Sequence, residues 1–161
     1  SQFPESARRV QAFLESRGIG LQVIELPEST RTAAEAARAI GCDVAHIAKS
    51  LIFRAAKTGR PILVIGSGSN RVDEMEIARR ISEPIEKASP EFVREKTGYA
   101  IGGVAPVAHA HEPVVFIDQD LQAYPAIWAA AGTPRTVFPI TPKDLIAVTG
   151  GIVVRITGDR K

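Results

Sequence analysis

The most informative charge in this chain is Lys49, which stands inside HIAKSLIF, where Ile47, Ala48, Leu51 and Ile52 mark a largely buried strand. Buried lysines are rare without a partner, so Lys49 reads either as a pocket ammonium or as an edge-strand cation snorkelling to water. With strict alternation, Ile47, Lys49 and Leu51 share one face of that strand and Ala48, Ser50 and Ile52 the other. A second candidate is IGGVAP, ending at Pro106, whose paired glycines Gly102 and Gly103 leave the main chain uncrowded. Such a loop can aim N–H groups at an anion, as an oxyanion hole or a phosphate cradle requires. An ordinary turn between strands has the same composition.

Other motifs exclude more than they assign. His109 and His111 in HAHEP supply two ligands where a catalytic zinc takes three, and His46 is the only other histidine, with Glu112 and Asp118 undistinguished as third ligands. The histidines are expected at the surface or behind the site, with no metal and no cofactor. Cys42 follows a helix-end pattern and, as the only cysteine, forms no intramolecular disulfide, which suits a reducing cytoplasm and a structural thiol. GSGSNRVDE lacks both the phosphate-loop lysine and the dinucleotide spacing; it reads as a strand-to-helix turn from which Arg71 could touch a phosphate. No G-x-S-x-G elbow is present, so a nucleophilic serine hydrolase is not indicated.

The net charge of +2 is weak for a protein that depends on phosphate contacts. Charge is unevenly placed, however: residues 49–96 hold ten Lys or Arg against seven Asp or Glu, and residues 97–134 hold three acids and no Lys or Arg. The neutral tract reads as core and pocket wall. The basic tract reads as a contact zone for a polyanion or as a solvated mixed-charge face. The first ten residues, SQFPESARRV, lack an apolar signal core, and no run approaches the roughly 18 apolar residues of a bilayer span. A soluble cytoplasmic protein, without a membrane partner, is the expectation.

The elements that must position these residues follow from periodicity and punctuation. Helices are expected at 4–17, at 32–41 with a Thr32/Glu35 capping box, at 73–82, from Ser89 to Gly98, and from Thr141 to Gly150. Strands are expected in LQVIEL, in the hairpin HIAKSLIFRAA and PILVIGSG around KTGRP, and in PVVFID, AIWAAAG, TVFPI and GIVVRIT. At 161 residues, without repeat or linker, the chain reads as one domain spanning 1–161. Strands broken by helices without βαβ alternation predict an α+β domain on a mixed sheet.

Taken together, AAEAARAIG, HIAKSLIF, GYAIGGVAPVAH and AAGTPRTVFPITPKDLIAVTG resemble the YbaK/EbsC family of freestanding prolyl-tRNA editing proteins over nearly the whole chain. The resemblance implies a mixed, mostly antiparallel curved sheet surrounded by helices. It implies a metal-independent hydrolase that acts in trans on aminoacyl-tRNA, removing a wrong amino acid from the acceptor end of proline tRNA, with prolyl-tRNA synthetase as a partner to consider. The family's lysine falls on Lys49 and its G-x-x-x-P loop on Gly102, Gly103, Val104, Ala105 and Pro106. The glycines would clear space for the terminal adenosine and acyl group, and their amides would polarise the ester. Ser50, Ala130, Gly132 and Thr133 would border the acyl group. Where some family members place a serine or histidine, this chain has Ala130, Ala131, Gly132 and Thr133, so a small apolar pocket suited to alanine, 2-aminobutyrate or cysteine is expected. An inactive tRNA- or synthetase-binding module and a small-molecule hydrolase on the same fold are the competing readings, since function resides in the site rather than the fold.

Overall fold

The computed structural model describes residues 3–20 and 22–158. The hairpin forms as expected: β2 (Ile47–Ala55) and β3 (Pro61–Ser67) run antiparallel, with Ala48 opposite Ser67 and Arg54 opposite Pro61. Ile62, Leu63, Val64 and Ile65 of β3 are all 0% exposed. Burial on both faces is why this strand reads as an unbroken apolar run instead of an alternating one.

Outward from β3 lie β5 (Val114–Asp118), parallel to it, and then β8 (Ile152–Val154), parallel to β5. Across β2, β6 (Ile127–Ala130) pairs in parallel, β7 (Thr136–Ile140) runs antiparallel to β6, and β1 (Ile24–Glu25) antiparallel to β7. A short β4 (Ile85–Lys87) also meets β2, antiparallel. The eight-stranded sheet is therefore mixed and mostly antiparallel.

Five helices, α1 (Glu5–Ser16), α2 (Ala33–Ile40), α3 (Glu74–Ile81), α4 (Pro90–Thr97) and α5 (Pro142–Thr149), accompany it. Their ends follow local chemistry. Glu35 N–H donates to Thr32 Oγ1 at 3.1 Å while Glu35 Oε1 accepts from Thr32 N–H, closing the capping box. Asp73, Ser89 and Thr141 cap α3, α4 and α5 through their side chains.

The core divides by sheet face. Val10 and Leu14 of α1, Leu63, Ile65, Tyr99, Phe138 and Leu145 form the larger cluster. Phe53, Ile62, Val64, Phe116 and Ile156 pack against Ile77 of α3 on the other face. Ala36 and Ala37 of α2 close on Ile47 and Trp128 in a third, smaller cluster. The alanines permit that close approach.

Three expectations differ from the fold. The LQVIEL strand is only Ile24–Glu25 among the described residues; Leu26 N–H still reaches Arg135 O, the next position in register with β7, but Arg135 N–H turns back to Thr133 Oγ1 and Pro27 has no N–H to continue the ladder. GIVVRIT contributes only Ile152–Val154. β4 was not anticipated, because three residues between two helices, two of them charged, carry no apolar alternation.

One irregularity of the sheet bears on everything that follows. β3 accompanies the whole of β2, but on the other edge β6 is registered only with Ile47 and Ala48, and β4 only with Phe53–Ala55. Residues 49–52 have no strand beside them there. β6 stops where Gly132 packs on α1, a Cβ at that glycine lying 2.9 Å from Ser6 Cβ. β4 stops because Ser89 begins α4.

Candidate active site

A cavity of about 280 Å³ occupies this gap. Its floor is the free edge of β2 from Ala48 to Ile52; its walls come from the N-terminal part of α2, from Trp128–Ala130 of β6, from Thr133, and from Ile101, Gly102 and Val104. Among the described lining residues the only charges are Arg31 and Lys49, and none is an acid, histidine or cysteine. Neither cationic side chain has a hydrogen bond or ion pair to another described residue. Lys49 is thus a pocket ammonium on a half-open strand edge, which joins the two sequence alternatives.

The glycine loop is built as a turn. Gly103 N–H donates to Ala100 O at 3.0 Å, with Gly102 at φ +97° between them, a conformation that side-chain-bearing residues rarely adopt. Gly103 is glycine for another reason: a Cβ there would sit 2.6 Å from Thr133 Cα. The space this glycine clears is filled by the Thr133 main chain, and its amide is engaged in the turn. The Gly102 and Val104 N–H groups have no acceptor among the described residues, and both residues line the cavity.

Behind the loop, His109 Nε2 donates to Ala105 O at 2.6 Å. Tyr99 OH donates to Val107 O at 2.8 Å and stands edge-on to the His109 ring, with the Arg9 guanidinium 5.0 Å over the Tyr99 ring. His109 Nδ1 is buried without a partner. Burial pushes the His109 imidazole below its ordinary pKa of 6.5, the bond to Ala105 opposes this, and Arg9 adds to it. The histidine that invited a metal reading is therefore a neutral brace for the loop. No group of three or more His, Cys, Asp or Glu side chains suited to a metal ion occurs among the described residues.

Of the residues singled out from sequence, Lys49, Ser50, Gly102, Val104, Ala130 and Thr133 meet in one cavity. Gly103, Ala105, Pro106 and Gly132 do not line it; they shape the loops that do. The Thr133 hydroxyl is engaged with Thr136 Oγ1 at 2.7 Å and with Arg135 N–H. Arg71 is exposed at the turn before α3, outside the lining. Cys42 is half-buried, its thiol pushed up by burial and by Asp43. Sequence reasoning missed Arg31 and Trp128. The signal for Trp128 was its being the only tryptophan, placed directly before the small residues Ala129, Ala130, Ala131 and Gly132.

Half of the ten cations in the basic tract are ion-paired among the described residues. Arg54 pairs with Glu86 at 2.7 Å, Arg60 with Glu83, Arg79 and Arg80 with Glu76, and Lys87 with Glu74. At the cavity itself, the cations available to an anion are Arg31 and Lys49.

Fold and site define a class: a small α+β domain with an apolar, electropositive receptacle at an interrupted sheet edge, beside a rigid glycine turn. The sequence pattern of the aminoacyl-tRNA editing domain family matches residues 27–148, and the chain belongs to that family. It is 34% identical over 123 residues to YwhH of Bacillus subtilis, covering 76% of this chain and 78% of that one. It is 24% identical over 131 residues to EbsC of Enterococcus faecalis, named as a candidate Cys-tRNA(Pro)/Cys-tRNA(Cys) deacylase, covering 81% and 79%. A solved structure described as a candidate trans-editing enzyme for prolyl-tRNA synthetase superposes with a TM-score of 0.91 at 50% identity, covering 97% of this chain and 99% of the other. The YbaK/EbsC resemblance and the fold class read from sequence are borne out. No helix among the described residues is long and apolar enough to cross a membrane.

Proposed function

We propose that this chain is a trans-editing deacylase that hydrolyses the ester between a small non-cognate amino acid and the 3′ end of proline tRNA. The observation that carries the reading is the convergence of Lys49 and Gly102 on one cavity whose two charges are both positive. Lys49 and Arg31 would hold the terminal phosphate, and Trp128 offers a flat face to the terminal base. The unengaged N–H groups of Gly102 and Val104 are the loop donors available to the ester carbonyl. Water adds to the carbonyl carbon, the bond to the ribose oxygen breaks, and the proton lost by water ends on that oxygen. An activated ester held this way needs positioning and oxyanion stabilisation more than a dedicated base.

Alanine, 2-aminobutyrate and cysteine fit the apolar wall of Ala48, Ile52, Val93 and Ala129, a shape that discriminates only modestly between neighbours in size. Prolyl-tRNA synthetase is the partner that the related structure's description suggests.

The test is incubation with proline tRNA charged separately with alanine, cysteine, 2-aminobutyrate, serine and proline. Release of one or more of the first three, with proline retained, is expected. Binding without release would make the chain a module; neither binding nor release would point to a small-molecule substrate. Lys49→Ala should lower deacylation by roughly 10- to 100-fold, as loss of a charge-assisted contact implies, while the thermal midpoint stays near wild type.

A further inference from the structure

The unpaired edge of β2 has a chemistry of its own. Gly68 N–H donates to Ile47 O at 2.8 Å and Ala55 N–H to Arg60 O at 2.9 Å, which sets the odd-numbered β2 residues in hydrogen-bonded pairs with β3. Main-chain groups alternate sides along an antiparallel strand, so Ala48, Ser50, Ile52 and Arg54 turn theirs to the opposite edge. Ala48 meets β6 there and Arg54 meets β4, whereas Ser50 and Ile52 have no registered partner. Ser50 Oγ is buried and unpartnered, yet the residue is partly exposed and lines the cavity. Its accessible atoms are therefore other than the hydroxyl oxygen, which an open main-chain edge allows.

We propose that the Ser50 main chain is the acyl subsite, its N–H and C=O pairing with the aminoacyl group as with one residue of an antiparallel strand. The inference rests on the deacylase reading and adds which substrate atoms are held. In a hydrogen-bonded antiparallel pair each residue gives its N–H to the other's C=O. An amino acid esterified at its carboxyl carries both groups: Ser50 N–H meets the ester carbonyl oxygen and Ser50 C=O meets the α-ammonium. The first bond polarises the carbon that water attacks; the second is charge-assisted. Directly opposed residues share a sheet face, so the acyl side chain lies on the face of Ala48 and Ile52, opposite to that of Lys49. The substrate class is then an ester with a free α-amino group and a small apolar side chain, excluding acyl groups that lack the amine.

The experiment compares proline tRNA carrying alanine, 2-aminobutyrate or cysteine with the same tRNA carrying the acid that lacks only the α-amino group: propionate, butyrate or 3-mercaptopropionate. Each enzymatic rate is divided by the spontaneous hydrolysis rate of the same ester, removing the intrinsic activation by the ammonium. The acceleration should fall about tenfold or more when the amine is removed, the usual range for a lost hydrogen bond to a charged group. A smaller fall overturns the proposal and leaves the deacylase reading standing; no release from any charged tRNA overturns both. Ser50→Pro, which deletes the unpaired N–H, should lower kcat by about tenfold or more in a variant that still melts cooperatively. A folded Ser50→Pro chain with a smaller loss also overturns the proposal, and if that variant does not fold, the deamino comparison decides alone.

Discussion

Adjacent glycines at 102 and 103 serve different ends, one conformational and one steric. Gly103→Ala should force the loop away from Thr133 and destabilise the chain by about 1–3 kcal/mol, the usual cost of overpacking. Two residues after Pro106, Ala108 sits at φ +61° without a glycine's freedom. Ala108→Gly should therefore stabilise by ~1 kcal/mol, since the left-handed region costs an alanine roughly 1–2 kcal/mol. Urea midpoints of the two variants, moving in opposite directions from wild type, would check both. From sequence the glycine pair is visible as a motif, but its division of labour is not. Thr133 reaches Gly103 only once β6 and β7 have folded back.

At the scale of elements, most of the fold was legible because caps and turns are written locally. Thr32 with Glu35, Ser89 with Pro90, and Thr141 with Pro142 each start the helix expected of them. The gap beside β2 was illegible. It depends on where two other strands stop, one at a Gly132–Ser6 contact across the domain and one at the start of α4. Arg31 and Trp128 enter the site for the same kind of reason, by α2 closing over β2 and β6.

The brace behind the loop is also tertiary. His109 has its pKa lowered by burial, so the unfolded chain binds a proton near the ordinary 6.5 while the native chain does not. Its stabilising contribution is complete above 6.5 and is lost as pH falls toward the native value. Thermal midpoints of His109→Gln, which keeps an N–H donor for Ala105 O, should change less than those of wild type across that window. Equal slopes would remove His109 from the account.

For the whole molecule, electrostatics is a matter of pairing more than of net charge. Arg79 and Arg80 hold the Glu76 carboxyl below its ordinary 4.5, and the Thr58 and Lys57 amides do the same for Glu83. Both native pKa values are depressed, so this stability is present above about 4.5 and disappears as pH drops through the native values. Glu83→Gln should flatten the acid limb of stability, read as thermal midpoint against pH from neutral downward. The same pairing occupies five of the ten cations of residues 49–96, while Arg31 and Lys49 at the cavity carry no ion pair among the described residues.

A sheet left open from within is sensitive to length. An insertion that let β6 run on past Ala130 would zip the opening shut, turning a receptive domain into a solid one without touching either cation or the glycine turn. The vulnerable quantity in this architecture is where a strand stops.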